Sequence, residues 1–385
     1  MPTRRDPQPP RPIAIGDIVT TFSEEIGEWT AAQITHFDYS WLTADVVNLD
    51  WSGPEPESLD ELGELTPLRL THHSYSGQLS HCNFPWLLPR SYRILGNSQP
   101  LVDSPSKQYG GGWAWGLGTQ LSLQRRWDAA ESAEMPTGRL ALSGTAIADL
   151  AESDESIWDL SVDPIVTVDC RQIVRLFPNL AYLRLEGELG TLDNALALND
   201  LPHLRGISID NLFGMTAADI PDPALLRHLD SLFIHSAPAE YIAAVRRAWK
   251  PEIVNGTELE LTGARTPGWV EENRDNPLRE WDGREHISAA RYKKAVAQYR
   301  ATRSAVVAAL SPESPVRDLR ETGRDFADAF NKLDGTRNPF IETEERDDLF
   351  EALTATVAFA ESQLGAHFPQ AFDELAAGAN ESRNW

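Results

Sequence analysis

Cysteine is scarce in this chain: Cys82 and Cys170 are the only two in 385 residues. Two cysteines cannot build a disulfide framework, so a reducing compartment is the default. No apolar run reaches the roughly 18–20 residues that a membrane-spanning helix needs. Residues 1–12 hold five prolines and three arginines but no apolar stretch, so they read as a disordered arm rather than a secretory signal. A cytoplasmic location follows by elimination.

Catalytic signatures are missing too. There is no Cys-x-x-Cys, no Gly-x-Ser-x-Gly elbow and no His-Glu-x-x-His. The glycine-rich run from Gly110 through Trp113 and Trp115 to Gly118 lacks the Gly-Lys-Ser/Thr ending that holds phosphate and magnesium. His72, His73, His81 and Cys82 form a cluster of metal-type ligands, but no second Cys/His pair stands at zinc spacing. No cofactor or metal is expected. The acidic pairs Glu344/Glu345 and Asp347/Asp348 fall at the start of a predicted helix, where they complement the helix dipole. An enzyme whose groups come from distant segments leaves no local motif, so a hydrolase or nucleic-acid-modifying site in the Trp- and His-rich first region stays open.

Positive charge is also short. Lys and Arg number 34 against 58 Asp and Glu, a formal charge of −24. Half of that excess lies between residues 137 and 282, with 12 basic against 24 acidic residues. Such a surface repels phosphate backbones and anionic lipid and attracts a basic partner. Solubility alone is the plainer explanation of the same charge.

Tryptophan is plentiful, at 12 residues, and pattern divides the chain into four parts. After the arm, residues 13–136 offer short strands at 13–20, 29–34 and 44–49, separated by polar turns, as in a small β-barrel-like domain. Residues 283–385 read as helical. Tyr292, Val296 and Tyr299 share one stripe. Ser314 is a candidate N-cap with Pro315 at the first helical position, followed by Val316, Leu319, Phe326, Phe330 and Leu333. A further helix from about Thr343 carries Leu349, Leu353, Val357, Ala360 and Leu364.

Between them, residues 137–282 repeat the pattern L-x-x-L-x-L. The clearest copies are Leu180/Leu183/Leu185, Leu204/Ile207/Ile209 and Leu229/Leu232/Ile234, spaced by 24 and 25 residues. A weaker copy stands at Ile157/Leu160/Val162, with partial copies at Leu140/Leu142 and Leu259/Leu261. Helix-like stretches such as 238–249 intervene. One repeat cannot bury its apolar face alone, so successive copies are expected to stack as a short solenoid. Ordinary βαβ strands are the alternative. Side chains alternate across a strand, so the residues between the buried aliphatics form columns on a concave face. One column is Asp159, Tyr182, Gly206 and Ser231. The next is Ser161, Arg184, Ser208 and Phe233. The third is Asp163, Glu186, Asp210 and His235.

These copies resemble leucine-rich-repeat proteins, including bacterial ones, over about a third of the chain. Where that family's pattern places Asn or Cys, this chain has Glu188 and Leu212, so the resemblance does not extend to a regular asparagine ladder. The opening Ile15-Gly16-Asp17-Ile18-Val19, followed by Trp29 to Ile34, looks like the start of small barrel domains among bacterial toxin-immunity proteins. That resemblance implies an intracellular neutraliser of a protein toxin and carries no catalytic residue.

The sequence therefore points to an α/β fold, a leucine-rich-repeat solenoid flanked by a barrel-like and a helical region. The expected function is a cytoplasmic protein–protein interaction module, with an immunity-type inhibitor as its narrower form. A basic protein would dock through Asp163, Tyr182, Arg184, Glu186, Asp210, Phe233 and His235, with neither nucleic acid nor membrane as partner. A regulatory scaffold is a further alternative. Oligomeric state is not encoded in any pattern here.

Overall fold

In the first region, neighbouring residues of one strand go to opposite sides of a sheet, and both sides are dry. Ile18 packs with Ala31, Leu49 and Leu62, while the adjacent Val19 packs with Ala32, Ile34, Val46 and Trp115. Period-two alternation delivers this directly, because apolar residues at consecutive positions supply two cores. A computed structural model describes residues 11–110, 115–130, 138–311, 318–335 and 338–385. The chain is a mixed α/β protein, and it forms two compact units, Met1–Thr266 and Pro267–Trp385. The boundary read from sequence at residues 136/137 falls inside the first unit, and that at 282/283 inside the second. Among the described residues no helix is long and apolar enough to cross a membrane.

The first sheet uses β1 (Asp17–Ser23), β2 (Glu28–Asp38), β3 (Thr43–Gly53), β6 (His81–Pro85), β7 (Arg93–Asn97) and β8 (Gln108–Tyr109), with β4 (Arg69–Leu70) and β5 (Gln78–Leu79) as a separate small hairpin. Its order is β7-β1-β2-β3-β6-β8, antiparallel except for β6 with β8. The Gly16-Asp17 turn signal marks the start of β1, with Gly16 in the turn and Asp17 as the first strand residue. Gly16 has φ +92°, and a Cβ there would collide with the Ser98 carbonyl. The helix α1 (Thr119–Asp128) was not foreseen, and its Leu121 packs on Leu68 and Leu70. Residues 111–114 of the glycine-rich run and most of the proline-rich arm lie outside the described residues.

The second sheet is parallel throughout. It contains β9 (Arg139–Leu142), β10 (Asp159–Asp169), β11 (Tyr182–Asp193), β12 (Gly206–Phe213), β13 (Ser231–Pro238) and β14 (Glu258–Arg265), and every strand lies beside its neighbour in chain order. In register, Leu140 pairs with Leu160, Leu160 with Leu183, Leu183 with Ile207, Ile207 with Leu232 and Leu232 with Leu259. Leu160, Leu183, Ile207 and Leu232 have no exposed surface. The connections carry short helices, α2 (Gly144–Asp149) and α3 (Cys170–Leu176), and the longer α4 (Ala239–Trp249). Tyr241, Ile242 and Val245 of α4 are fully buried, which fixes that helix by its apolar stripe. No Asn occupies positions 188 and 212. The buried Asn211, at φ +53°, instead accepts a hydrogen bond from Ser236 on the next strand at 3.3 Å.

The second unit is helical: α5 (Pro267–Asn273), α6 (Ala289–Leu310), α7 (Leu319–Asp334), α8 (Thr343–Leu364) and α9 (Ala371–Ser382). Tyr292, Val296 and Tyr299 of α6 join Phe326, Phe330, Leu349 and Leu353 in one core around the fully buried Trp281. The cap of α7 differs from expectation. Asp318 accepts from the Arg320 N–H at 2.9 Å, and Ser314, Pro315 and Val316 lie outside the described residues. An aspartate one residue before the helix satisfies an orphan N–H. Gly323 on α7 and Gly378 on α9 leave no room for a Cβ, so these two helices cross backbone against backbone.

Candidate functional site

The parallel sheet buries alternate residues of each strand, which leaves the other set on one shared face. Its three columns differ in access. In the first, Gly206 and Ser231 are buried, and Tyr182 is half-buried edge-on against Trp158 with ring centres 6.2 Å apart. Burial pushes the Tyr182 phenol well above its usual range, opposed by the positive charge of Arg205. Asp159 is raised by burial, opposed by Arg139 and Arg184. This column therefore belongs to packed structure, and Tyr182 is not an open anchor.

The second and third columns are more open. Arg184 is exposed, while Ser208 and Phe233 are half-buried. In the third column Glu186 pairs with Asp210, and Asp210 with His235. Asp163 stands on the neighbouring strand where the β10–β11 register shifts between Val162 and Ile165. The Glu186 carboxyl is pushed up by partial burial, then by the negative charges of Asp163 and Asp210, with Arg184 opposing. The fold thus brings Asp163, Glu186 and Asp210 into one electrostatic group. His235 is exposed, its Nδ1 2.7 Å from the Thr262 hydroxyl on β14.

A second constellation was not found from sequence. Arg205, 6% exposed, stands immediately before β12. Its Nη1 donates to the Phe22 carbonyl at 2.6 Å and to Glu24 at 3.1 Å. Its Nη2 donates to the Thr21 and Ser91 hydroxyls, and its Nε to Asp230 at 3.4 Å. The guanidinium also lies 5.9 Å from the centre of the Tyr92 ring. Asp230 accepts from the Ser91 N–H and hydroxyl as well. Burial raises its carboxyl, opposed by Arg205 and by these hydrogen bonds. The network joins the parallel sheet to β1 and to the segment before β7. The available signal was a charged residue at a position where Ala181 precedes the neighbouring strand.

The residues of the histidine cluster are held by hydrogen bonds within the fold. His72 is buried, with Nδ1 2.9 Å from His73 Nδ1 and Nε2 3.2 Å from the Gln120 side chain. His81 is also buried, with Nε2 2.8 Å from the Thr35 hydroxyl. Burial lowers both imidazoles below their usual range. Burial pushes the Cys82 thiol up, which suppresses the reactive thiolate. Among the described residues no carboxylate bonds to either buried ring, and no group of three His, Cys, Asp or Glu could hold a metal ion.

A cavity of about 540 Å³ opens between the start of the parallel strands and the β1–β2 turn. It is bounded by Phe22, Trp29, Trp158 and Arg205.

Compared with protein-family models, with curated proteins and with solved structures, the chain matches none.

Proposed function

We propose that the chain is a cytoplasmic protein–protein interaction module. In this reading the parallel sheet is a short leucine-rich-repeat-type solenoid, and the first sheet is a small barrel-like companion domain. The bound partner is a basic protein, and inhibition of a toxin is the narrower form of the proposal. One observation carries the reading: on an accessible face the Glu186 carboxyl is pushed up by partial burial and by the negative charges of Asp163 and Asp210 beside it. Like charges on adjacent strands are unfavourable alone and become favourable when Lys or Arg docks across them. Arg184 and Phe233 in the adjacent column supply a polar contact and a half-buried aromatic surface.

The test uses the full chain and a lysine- and arginine-rich peptide as probe, read by isothermal titration at low and high salt. The triple variant Asp163→Lys/Glu186→Lys/Asp210→Lys is expected to lose binding while keeping its circular dichroism. Wild-type affinity is expected to fall as salt rises. Unchanged peptide affinity in the triple variant sinks the proposal.

A further inference from the structure

The cavity beside Arg205 has a composition of its own. Its walls are aromatic, from Phe22 on β1, Trp29 on β2 and Trp158 before β10. Phe22 and Trp29 meet edge to face with centres 6.5 Å apart. Arg93 stacks on Trp29 at 4.8 Å and Arg139 on Trp158 at 5.1 Å, and neither arginine lines the cavity, so each indole is held from behind. Its mouth is edged by Asn179, His203 and His228, which occupy matching places before β11, β12 and β13. The volume of about 540 Å³ falls in the range of small-ligand sites.

Charge selects the ligand. Arg205 is the only Lys or Arg lining the cavity among the described residues. Its five N–H groups already meet Phe22, Glu24, Thr21, Ser91 and Asp230. A phosphate or carboxylate ligand would have to break that buried network. Asn179 has already given one N–H to the Glu155 carbonyl at 2.9 Å. Glu24 and Glu155 add two carboxylates to the same lining, and Glu155 is exposed at the mouth.

We propose that this cavity binds an aromatic group that carries a positive charge. The ring lies among Phe22, Trp29 and Trp158, and the ammonium faces Glu155. Anionic ligands are disfavoured, since their charge meets the exposed Glu155 carboxylate while the one guanidinium in the lining is already fully engaged. Ala181 lines the cavity and Glu186 lies five residues further on, a strand distance of about 16 Å. The cavity is therefore separate from the acidic column, and either proposal can fail alone.

The experiment titrates the full chain with tryptamine, indole-3-acetate and the tripeptide Lys-Trp-Lys, read by calorimetry and ligand-observed NMR. Tryptamine is expected to bind about tenfold or more tightly than indole-3-acetate. Glu155→Lys, at an exposed position, should narrow or reverse that preference. His203→Trp, at the exposed mouth, should abolish binding, with folding checked by near-ultraviolet circular dichroism. Tighter binding of the tripeptide supports the pocket with a partner's side chain as its occupant, and tighter binding of tryptamine supports it with a free amine. Equal affinity for the amine and the acid overturns the charge assignment. Absence of binding by all three, or binding that both variants leave intact, overturns the site.

Discussion

Arg205 and Asp230 occupy adjoining positions at the start of neighbouring strands, with Arg205 Nε 3.4 Å from the Asp230 carboxylate, and both side chains are almost wholly buried. Two charges are taken out of water there, and each is then surrounded by hydrogen-bonding groups from another part of the chain. Such a pair is costly to break from one side, because the survivor stays buried and uncompensated.

Arg205→Ala should therefore destabilise the protein by about 3–5 kcal/mol. Asp230→Asn, which keeps a polar group facing Ser91, should cost less, about 1–3 kcal/mol. The double variant should cost clearly less than the two singles added together, since they remove one shared interaction. Urea unfolding of all three variants decides this. Additive losses would show that the pair is not coupled.

Glu186 gives a prediction of opposite sign. Its neighbours Asp163 and Asp210 oppose its ionisation. Glu186→Gln should stabilise the protein by about 0.2–1 kcal/mol at neutral pH, the usual size of a cross-strand pair effect. The gain should shrink at high salt, where exposed charges are screened. Thermal unfolding of wild type and variant at two salt concentrations measures it, and a destabilised variant would count against a strained acidic column.

The buried histidines set a pH dependence. His72 and His81 are held below the usual imidazole value of 6.5, chiefly by burial. Below that value the unfolded chain takes up protons that the folded chain refuses. Their contribution to stability is present above about pH 6.5 and lost as pH falls through and below it. Urea midpoints should drop between about pH 7.5 and pH 5.5. The double variant His72→Gln/His81→Gln should flatten that slope, even if its stability is lower throughout. An equally steep slope in the variant would place the proton uptake elsewhere.

What was readable from sequence was what repeats locally. The columns Asp159/Tyr182/Gly206/Ser231 and Glu186/Asp210/His235 are paired in the structure because parallel strands in chain order keep an almost constant offset. The stripes of α4, α6 and α8 were legible because their burial follows the helical period. Arg205 was not legible. Its partners Ser91, Thr21 and Phe22 lie 114, 184 and 183 residues away, and no local pattern encodes such closure. The aromatic cavity shares that origin, since Trp29 and Trp158 come to line one cavity only once two sheets are in place. Helix α1 was hidden by its weak apolar periodicity, with Ser122 and Gln124 buried beside Leu121. Gln124 earns its place by accepting the Thr71 N–H at 2.6 Å, a contact set by tertiary structure.

The chain-order stacking of the parallel sheet has an evolutionary consequence. Each strand from β9 to β14 touches only the strand before it and the strand after it within the sheet. A duplicated stretch of some two dozen residues could enter such an array by adding one more layer, with no existing pairing rewired. The three-residue acidic column is then a length that gene duplication can adjust, one carboxylate per added layer.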